Sequence, residues 1–196
     1  MRQRLTLIGV VLVLAMTAVG CGSTGSGDVV SETRVVGSFD RVEVSSGIAV
    51  EITVDPAAPA EVTSIYDDNL QEKIITEVRD GTLVIEVQGN VIAPGSGRMV
   101  KVAMPVLIGL LADGGARVQA VGAADQLELR GEGGAAIDLE GLVVQTMDIG
   151  LDGGANATVN ALLEITGQVT GGANLTLTNS PASRDLDVSG GGKVSG

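Results

Sequence analysis

Pairs of small residues recur five times in the second half of the chain at nearly constant spacing. The pairs begin at Gly114, Gly133, Gly153, Gly171 and Gly190, so successive pairs are 18 to 20 residues apart. A fixed period of this size is typical of repeat proteins, in which each repeat is one supersecondary unit that stacks on its neighbours. The period therefore constrains the architecture much more than it constrains the function.

Apolar and polar residues alternate on both sides of each pair. In the first repeat, Ala116, Val118 and Ala120 follow Gly114 by two, four and six residues. A period of two indicates a strand with one buried face, whereas a helix would need apolar residues three and four apart. Each repeat is therefore predicted to consist of a strand, a tight corner and a second strand.

The corners are assigned to the small-residue pairs, because glycine adopts positive φ and allows one backbone to approach another closely. An earlier pair has the same flanking alternation and joins the series. The predicted structural corners are Ser46, Gly47, Gly114, Gly115, Gly133, Gly134, Gly153, Gly154, Gly171, Gly172, Gly190 and Gly191.

Stacking such repeats would place equivalent strands side by side in parallel. The predicted fold class is all-β: a single-stranded parallel β-helix, or solenoid, with turns of roughly 19 residues. The coil is expected to be right-handed, because crossovers between parallel strands are generally right-handed. The alternative is an antiparallel Gly-rich sandwich, a fold that rarely keeps its register so evenly. The pattern leaves open whether residues 61–88 form a further turn or an antiparallel cap.

The beginning of the chain has the features of a bacterial lipoprotein. Arg2 and Arg4 precede an apolar run over 5–19, and small residues lead into Cys21, the single cysteine. This order indicates a signal peptide, and its end resembles the lipobox, although Ala18 stands where Leu is usual. The alternatives are a plain secretory signal and an uncleaved anchor.

The expected organisation follows from this leader. Residues 1–20 are predicted to be a lipoprotein signal peptide, 21–33 the lipidated Cys21 with a flexible Gly/Ser tether, and 34–196 the β domain. The expected location is extracytoplasmic and membrane-anchored, at the cell surface or in the periplasm, with the membrane as a partner through the lipid.

The composition excludes several classes of function. With 24 acidic and 12 basic residues the net charge is −12, which disfavours nucleic acid and anionic polysaccharide as partners. There is no histidine, so Ser-His-Asp and Cys-His catalysis and His-based zinc sites are excluded. One Phe, one Tyr and no Trp leave few aromatic platforms for glycans. The chain is expected not to be an enzyme.

Acidic residues precede three successive corners, at Asp113, Glu132 and Asp152. In a stack of repeats they would form a column, which three interpretations fit. Carboxylate oxygens suit a weak Ca²⁺ site, and calcium is the one cofactor that the pattern suggests. A carboxylate pair also serves in polysaccharide lyases and hydrolases. The third interpretation is a solvated acidic edge that prevents lateral aggregation.

Two further features concern the stack itself. Asn156 and Asn174 follow their corners by three residues and are predicted to form a hydrogen-bonded amide ladder along the stack. The last corner is followed only by the short strand 192–195, so this end of the coil is expected to be uncapped. An uncapped end favours self-association or docking of a partner, and the alternative is a solvated, frayed end.

The order of motifs resembles the head GIN domain described for autotransporter adhesins. The resemblance is carried by Ser46-Gly47-Ile48, Asp67 to Leu70, Ile75 to Val78, Asp80 to Ile85, Met104-Pro105 and the five later corners. It covers about 36–196 and implies a β-helical domain on secreted or lipid-anchored bacterial proteins. It implies no catalytic or binding residues.

The function expected from these features is non-catalytic. A structural, adhesive or binding role in the cell envelope is the main expectation. The alternatives are an envelope sensor module that binds Ca²⁺ or a small ligand and, last, a polysaccharide lyase or hydrolase.

Overall fold

The computed structural model describes residues 22–92 and 96–196. The predicted signal peptide and Cys21 lie outside the described residues. Regular structure in the described part is β-sheet apart from one 3₁₀ helix at Asp68–Lys73. Within those residues, no helix has the length and apolar character needed to traverse a bilayer.

Sixteen strands are described. The first eight are β1 (Ser23–Thr24), β2 (Val29–Arg34), β3 (Arg41–Val44), β4 (Ala49–Val54), β5 (Glu61–Asp67), β6 (Ile74–Arg79), β7 (Thr82–Val87) and β8 (Val91–Ile92). The others are β9 (Met99–Met104), β10 (Gly109–Ala112), β11 (Arg117–Gly131), β12 (Ala136–Leu151), β13 (Asn156–Val169), β14 (Asn174–Leu177), β15 (Ser183–Val188) and β16 (Lys193–Ser195).

The repeats of the second half pair in parallel, one repeat against the next. The strands before the corners line up in the order β3, β10, β11, β12, β13 and β15. The strands after the corners line up in the order β4, β11, β12, β13, β14 and β16. Strands β11, β12 and β13 are 14 to 16 residues long and contribute to both rows, so they join the two faces opposite the corners.

The first half of the domain adds antiparallel strands to this sheet. β5 pairs antiparallel with β2 and with β9, and β6 pairs antiparallel with β7. The β6–β7 connection is the two-residue turn Asp80–Gly81, whose φ angles are 50° and 78°. A two-residue turn of this kind joins antiparallel strands, whereas parallel neighbours need a crossover.

The prediction of a single-stranded parallel β-helix over 34–196 is therefore wrong. Fourteen strands form one sheet of mixed orientation, which curls around the core as a nearly closed barrel. The alternation of apolar residues could not reveal this, because it reports which face of a strand is buried and not the direction of the neighbouring strand. The question left open for 61–88 is also answered: β5 and β6 are antiparallel additions, while β7 pairs in parallel with β3.

One hydrophobic core fills the space inside the sheet, from Phe39 to Leu177. The alternating apolar residues of the repeats supply most of it, and those following the corners are all buried: Ala116, Val118, Ala120, Ala135, Ile137, Leu139, Ala155, Ala157, Val159, Ala173, Leu175 and Leu177. Their neighbours in the sequence face outward, so the outer surface of the sheet carries the polar side chains.

The segment predicted to be a flexible tether is not free in the structure. β1 pairs in parallel with β8, and β2 pairs antiparallel with β5. Residues 22–34 therefore belong to the folded unit, because the domain presents unpaired strand edges that their backbone can satisfy.

Candidate functional site: a polar groove on the outer sheet face

The predicted corner residues all lie at two-residue turns. At each corner, the residue after the pair donates its backbone N–H to the carbonyl of the residue before it, at 2.9 to 3.4 Å. The turns also stack on one another: a Cβ on Gly153 would lie 3.0 Å from the backbone of Gly133. Successive corners thus meet backbone to backbone, which explains why side chains are small there.

Two of the acidic residues before the corners form hydrogen bonds within their own turns. The side chains of Asp113 and Asp152 each accept a hydrogen bond from the next backbone N–H, at 2.5 and 2.6 Å. Thr170 donates its hydroxyl to Asp152 at 3.1 Å, and Glu132 is exposed. Over residues 22–92 and 96–196, no three Asp, Glu, Cys or His side chains gather closely enough to hold a metal ion.

The structure brings the two predicted ladder residues together. Nδ2 of Asn174 donates to Oδ1 of Asn156 at 2.9 Å, and Nδ2 of Asn156 donates to the carbonyl of Gly154 at 3.0 Å. A second amide pair joins β13 to the segment after β14, where Nδ2 of Asn179 donates to Oδ1 of Asn160 at 3.0 Å.

A groove of about 560 Å³ crosses the outer face of β4, β11, β12, β13 and β14. Two rows of outward side chains line it, and each row runs across the strands. The first row is Ala49, Arg117, Ala136, Asn156 and Asn174, and the second row is Glu51, Gln119, Asp138, Thr158 and Thr176. We call this the polar groove.

Sequence reasoning identified the first row in part and missed the second. The second row lies five residues after the start of each corner, so the repeat register contained the signal. Every one of these positions holds a polar residue, and strand alternation places all of them on one face. The second row could therefore have been predicted from the sequence. The Asn ladder therefore lies within the polar groove and not only along the stack.

The polar groove offers hydrogen-bonding groups more than charge. Nε2 of Gln119 donates to Asp138 at 3.3 Å, and Glu51 pairs with Lys101 on the neighbouring strand β9 at 3.3 Å. Ala49 and Ala136 have short side chains, which leave space between these groups. Hydroxyl, amide and carboxylate groups in a row can donate and accept hydrogen bonds along an extended ligand.

The opposite sheet face differs, because its charges pair with one another. Arg41 lies 3.0 Å from Glu128, and Arg130 lies 3.2 Å from Glu128 and 2.5 Å from Asp148. These exposed ion pairs contribute little to stability, but they occupy the side chains that a ligand would need. The polar groove is therefore the better candidate for binding.

A buried ion pair lies at the end of β5, in the motif that carries the resemblance. The carboxylate of Asp67 is fully buried and accepts hydrogen bonds from Nε and Nη2 of Arg98 and from the N–H of Gly27. The Arg98 guanidinium lowers the pKa of Asp67 to about 2. Burial raises the pKa of the adjacent Tyr66 to about 12. The pair is internal and serves to hold neighbouring segments, as described below.

Three solved structures share the fold. A "putative adhesin" from Parabacteroides distasonis superposes with a TM-score of 0.59 and 17% identity, covering 89% of this chain and 99% of its own. A "putative adhesin" from Bacteroides fragilis gives 0.55 and 17%, with 89% and 99% covered. A "putative lipid binding protein" from Parabacteroides distasonis gives 0.50 and 11%, with 88% and 98% covered. No curated protein matches the sequence.

A family model matches the chain in two overlapping stretches, residues 38–120 and 108–181. Together the two stretches include both rows of the polar groove, the buried Asp67 and four of the five later corners. The chain therefore belongs to the family described as "Putative auto-transporter adhesin, head GIN domain".

Proposed function

We propose that this protein is a non-catalytic, lipid-anchored binding protein of the bacterial cell envelope that holds its partner in the polar groove. The observation that carries the proposal is the groove itself, a concave surface of about 560 Å³ lined by two regular rows of outward side chains. Sites for small ligands have volumes of about 300–1,000 Å³, so one ligand segment fits.

The chemistry of the lining indicates the class of ligand. Asn156, Asn174, Thr158, Thr176 and Gln119 offer amides and hydroxyls. The net charge of −12 repels polyanions. Within the groove the charges are balanced, because Arg117 lies in the row beside Glu51 and Asp138, and Lys101 pairs with Glu51. An uncharged ligand rich in hydroxyl or amide groups fits these properties.

The family match and the predicted N-terminal signal peptide support a location outside the cytoplasm. Adhesin-type domains act outside the cytoplasm, and Cys21 lies at the end of a lipobox-like leader. The absence of histidine from the whole sequence removes the commonest general base, which favours a binding role over catalysis.

The experiment is a binding screen with a blocked groove. Arrays of neutral oligosaccharides and of peptides are probed with the wild-type protein and with Ala136→Arg, which places a long side chain on the floor of the groove. Gln168→Arg on β13 is the matched control, because Gln168 is also exposed but lies outside the groove. Binding that survives Ala136→Arg unchanged would contradict the proposal.

A second candidate function is a sensor module for a small ligand or Ca²⁺. The specific observation in its favour is a groove of small-molecule size that contains two separate carboxylates, Glu51 and Asp138, which lie two strands apart. Titration calorimetry with CaCl₂ at millimolar concentration tests the cation. If no heat is released and the Tm does not change, calcium is excluded as the ligand.

A further inference from the structure

The segment that directly follows Cys21 is fastened to the domain along its length. We call residues 22–28 the strap. The N–H of Ser23 donates to the carbonyl of Asn90, and the N–H of Gly25 donates to the carbonyl of Ile92, both at 2.9 Å. Strand β1 within the strap thereby adds to β8.

The other side of the strap is held by three consecutive polar residues, Asp67 at the end of β5 and the two residues that follow it. Oδ1 of Asp67 accepts from the N–H of Gly27 at 2.6 Å, and Oδ1 of Asp68 accepts from the hydroxyl of Ser26 at 2.6 Å. Asn69 makes two bonds with its amide: it accepts from the N–H of Ser26 at 3.0 Å and donates to the carbonyl of Thr24 at 2.9 Å.

The fit between strap and domain is tight. A Cβ on Gly25 would lie 2.6 Å from Cγ of Asp67, a separation at which atoms overlap. Asp67 cannot yield, because it is fully buried and held by both donor groups of Arg98. The strap is therefore a docked element and does not act as a spacer of the kind that Gly/Ser segments usually form.

Docking of the strap fixes the distance between the domain and its anchor. Cys21 is bonded directly to Gly22, the first residue of the strap, and consecutive Cα atoms are about 3.8 Å apart. A lipid on Cys21, which is part of the function proposed above, would then bring the domain itself to the bilayer. Two exposed aliphatic side chains lie beside the strap: Ile92 pairs opposite Thr24 and is 54% exposed, and Val29 follows Asp28 and is 44% exposed.

We infer that the surface formed by the strap, Val91–Ile92 and Asp67–Asn69 lies directly on the headgroups of the membrane that holds the anchor. The exposed carboxylates of Asp28 and Asp68 on this surface are repelled by anionic lipid. The surface therefore fits zwitterionic phospholipid. The polar groove starts at Met99 on β9, next to Arg98, and extends across β4, β11, β12 and β13 to β14, so most of it runs away from the strap and is presented away from the membrane at a fixed orientation.

The test measures energy transfer from a dye on the protein to acceptor lipids. The lipidated protein is placed in phosphatidylcholine vesicles that contain acceptor-labelled headgroups, with the dye attached through Ile92→Cys or Lys193→Cys. Seven strand-to-strand steps of about 4.8 Å separate β5, which holds the strap, from β16, which is a path of roughly 30 Å along the sheet. We expect severalfold more transfer from position 92 than from position 193, and less vesicle binding when phosphatidylglycerol is added.

Gly25→Ala is expected to displace the strap, because the added Cβ would overlap the Asp67 carboxylate, and the difference in transfer between the two positions should then fall. Gly134→Ala is the matched control, because a Cβ there meets open space and its φ is not positive. Hydrogen exchange checks both variants: the amides of Ser23, Gly25 and Gly27 should lose protection in Gly25→Ala alone, while β11 to β13 stay protected.

Equal transfer from positions 92 and 193 in vesicle-bound wild-type protein would overturn the inference and leave the lipid anchor standing. Retained protection of the strap amides in Gly25→Ala, with an unchanged difference in transfer, would overturn the role of the strap. If the wild-type protein does not partition with membranes and behaves like Cys21→Ser, the lipid anchor in the proposed function is contradicted instead.

Discussion

Arg98 donates to both carboxylate oxygens of Asp67, and the carboxylate is completely buried. Arg98→Ala should therefore leave a buried charge without its partner, which is far more destabilising than the loss of an exposed pair. We expect a large decrease in Tm, measured by calorimetry. The control is Lys101→Ala, which breaks the exposed pair with Glu51 and should cost at most about 1 kcal/mol. Equal effects of the two substitutions would show that the buried pair has no special role.

The same ion pair predicts the acid sensitivity of the fold. Hydrogen bonds from Arg98 and Gly27 lower the pKa of Asp67 from 3.8 to about 2. A carboxyl group with a lower pKa in the folded state stabilises the fold fully above its unfolded pKa, and this contribution is lost as the pH falls through the folded pKa. The difference in Tm between wild type and Asp67→Asn should be constant above pH 3.8 and shrink towards pH 2. A difference that does not change over this range would contradict the assignment.

The Asn ladder should contribute modestly to stability. Replacing both Asn156 and Asn174 by Ala removes the 2.9 Å hydrogen bond between them and the bond to Gly154. The net contribution of a hydrogen bond to the free energy of unfolding is about 0.5–1.5 kcal/mol. Because this pair is exposed, we expect a value towards the lower end of that range. Chemical denaturation should show that decrease. Lys193→Ala, in the same row of the sheet, should leave the free energy of unfolding nearly unchanged.

Gly167 should not tolerate a side chain. Its φ is 133°, and a Cβ would lie 1.9 Å from the carbonyl oxygen of Ile149 on the neighbouring strand. Gly167→Ala must then displace the β12–β13 pairing, at a cost of at least about 2 kcal/mol. Gly134→Ala, which meets open space, is the control for the loss of glycine in the unfolded chain. A Tm for Gly167→Ala equal to that of the control would contradict the close approach.

Cys21→Ser should release the protein from membranes, because the lipid attachment proposed for this residue requires its sulfur. The measurement is the distribution between detergent and aqueous phases after extraction. Retention of the Ser variant in the detergent phase would show that another element holds the protein.

The polar groove shows which surface features the repeat pattern predicts and which it does not. Asn156 and Asn174 could be placed on one face from their equal distance to the corners, and the structure joins them. Gln119, Asp138 and Thr158 stand in an equally regular row, yet a row of exposed polar residues is also what any solvated strand shows. Only the groove between the rows distinguishes them, and a groove depends on side-chain size and sheet curvature.

Asp67 shows the opposite case. Asp67 directly precedes the 3₁₀ helix Asp68–Lys73 and makes no side-chain capping hydrogen bond to it. The contacts of this region with Ser26 and Gly27, some 40 residues earlier, have no local signature. A Gly/Ser segment is typical of a flexible tether in composition, so its docking could not be predicted from the sequence.

The sequence by itself determined the positions of the corners and the buried side of each repeat strand, because both depend on local properties: glycine at positive φ and a side-chain period of two. The tertiary structure alone decided the direction in which strands pair, the mixed and nearly closed sheet, the polar groove and the docking of the strap. These depend on contacts between residues far apart in the chain, for which backbone hydrogen bonds carry no residue-specific signal.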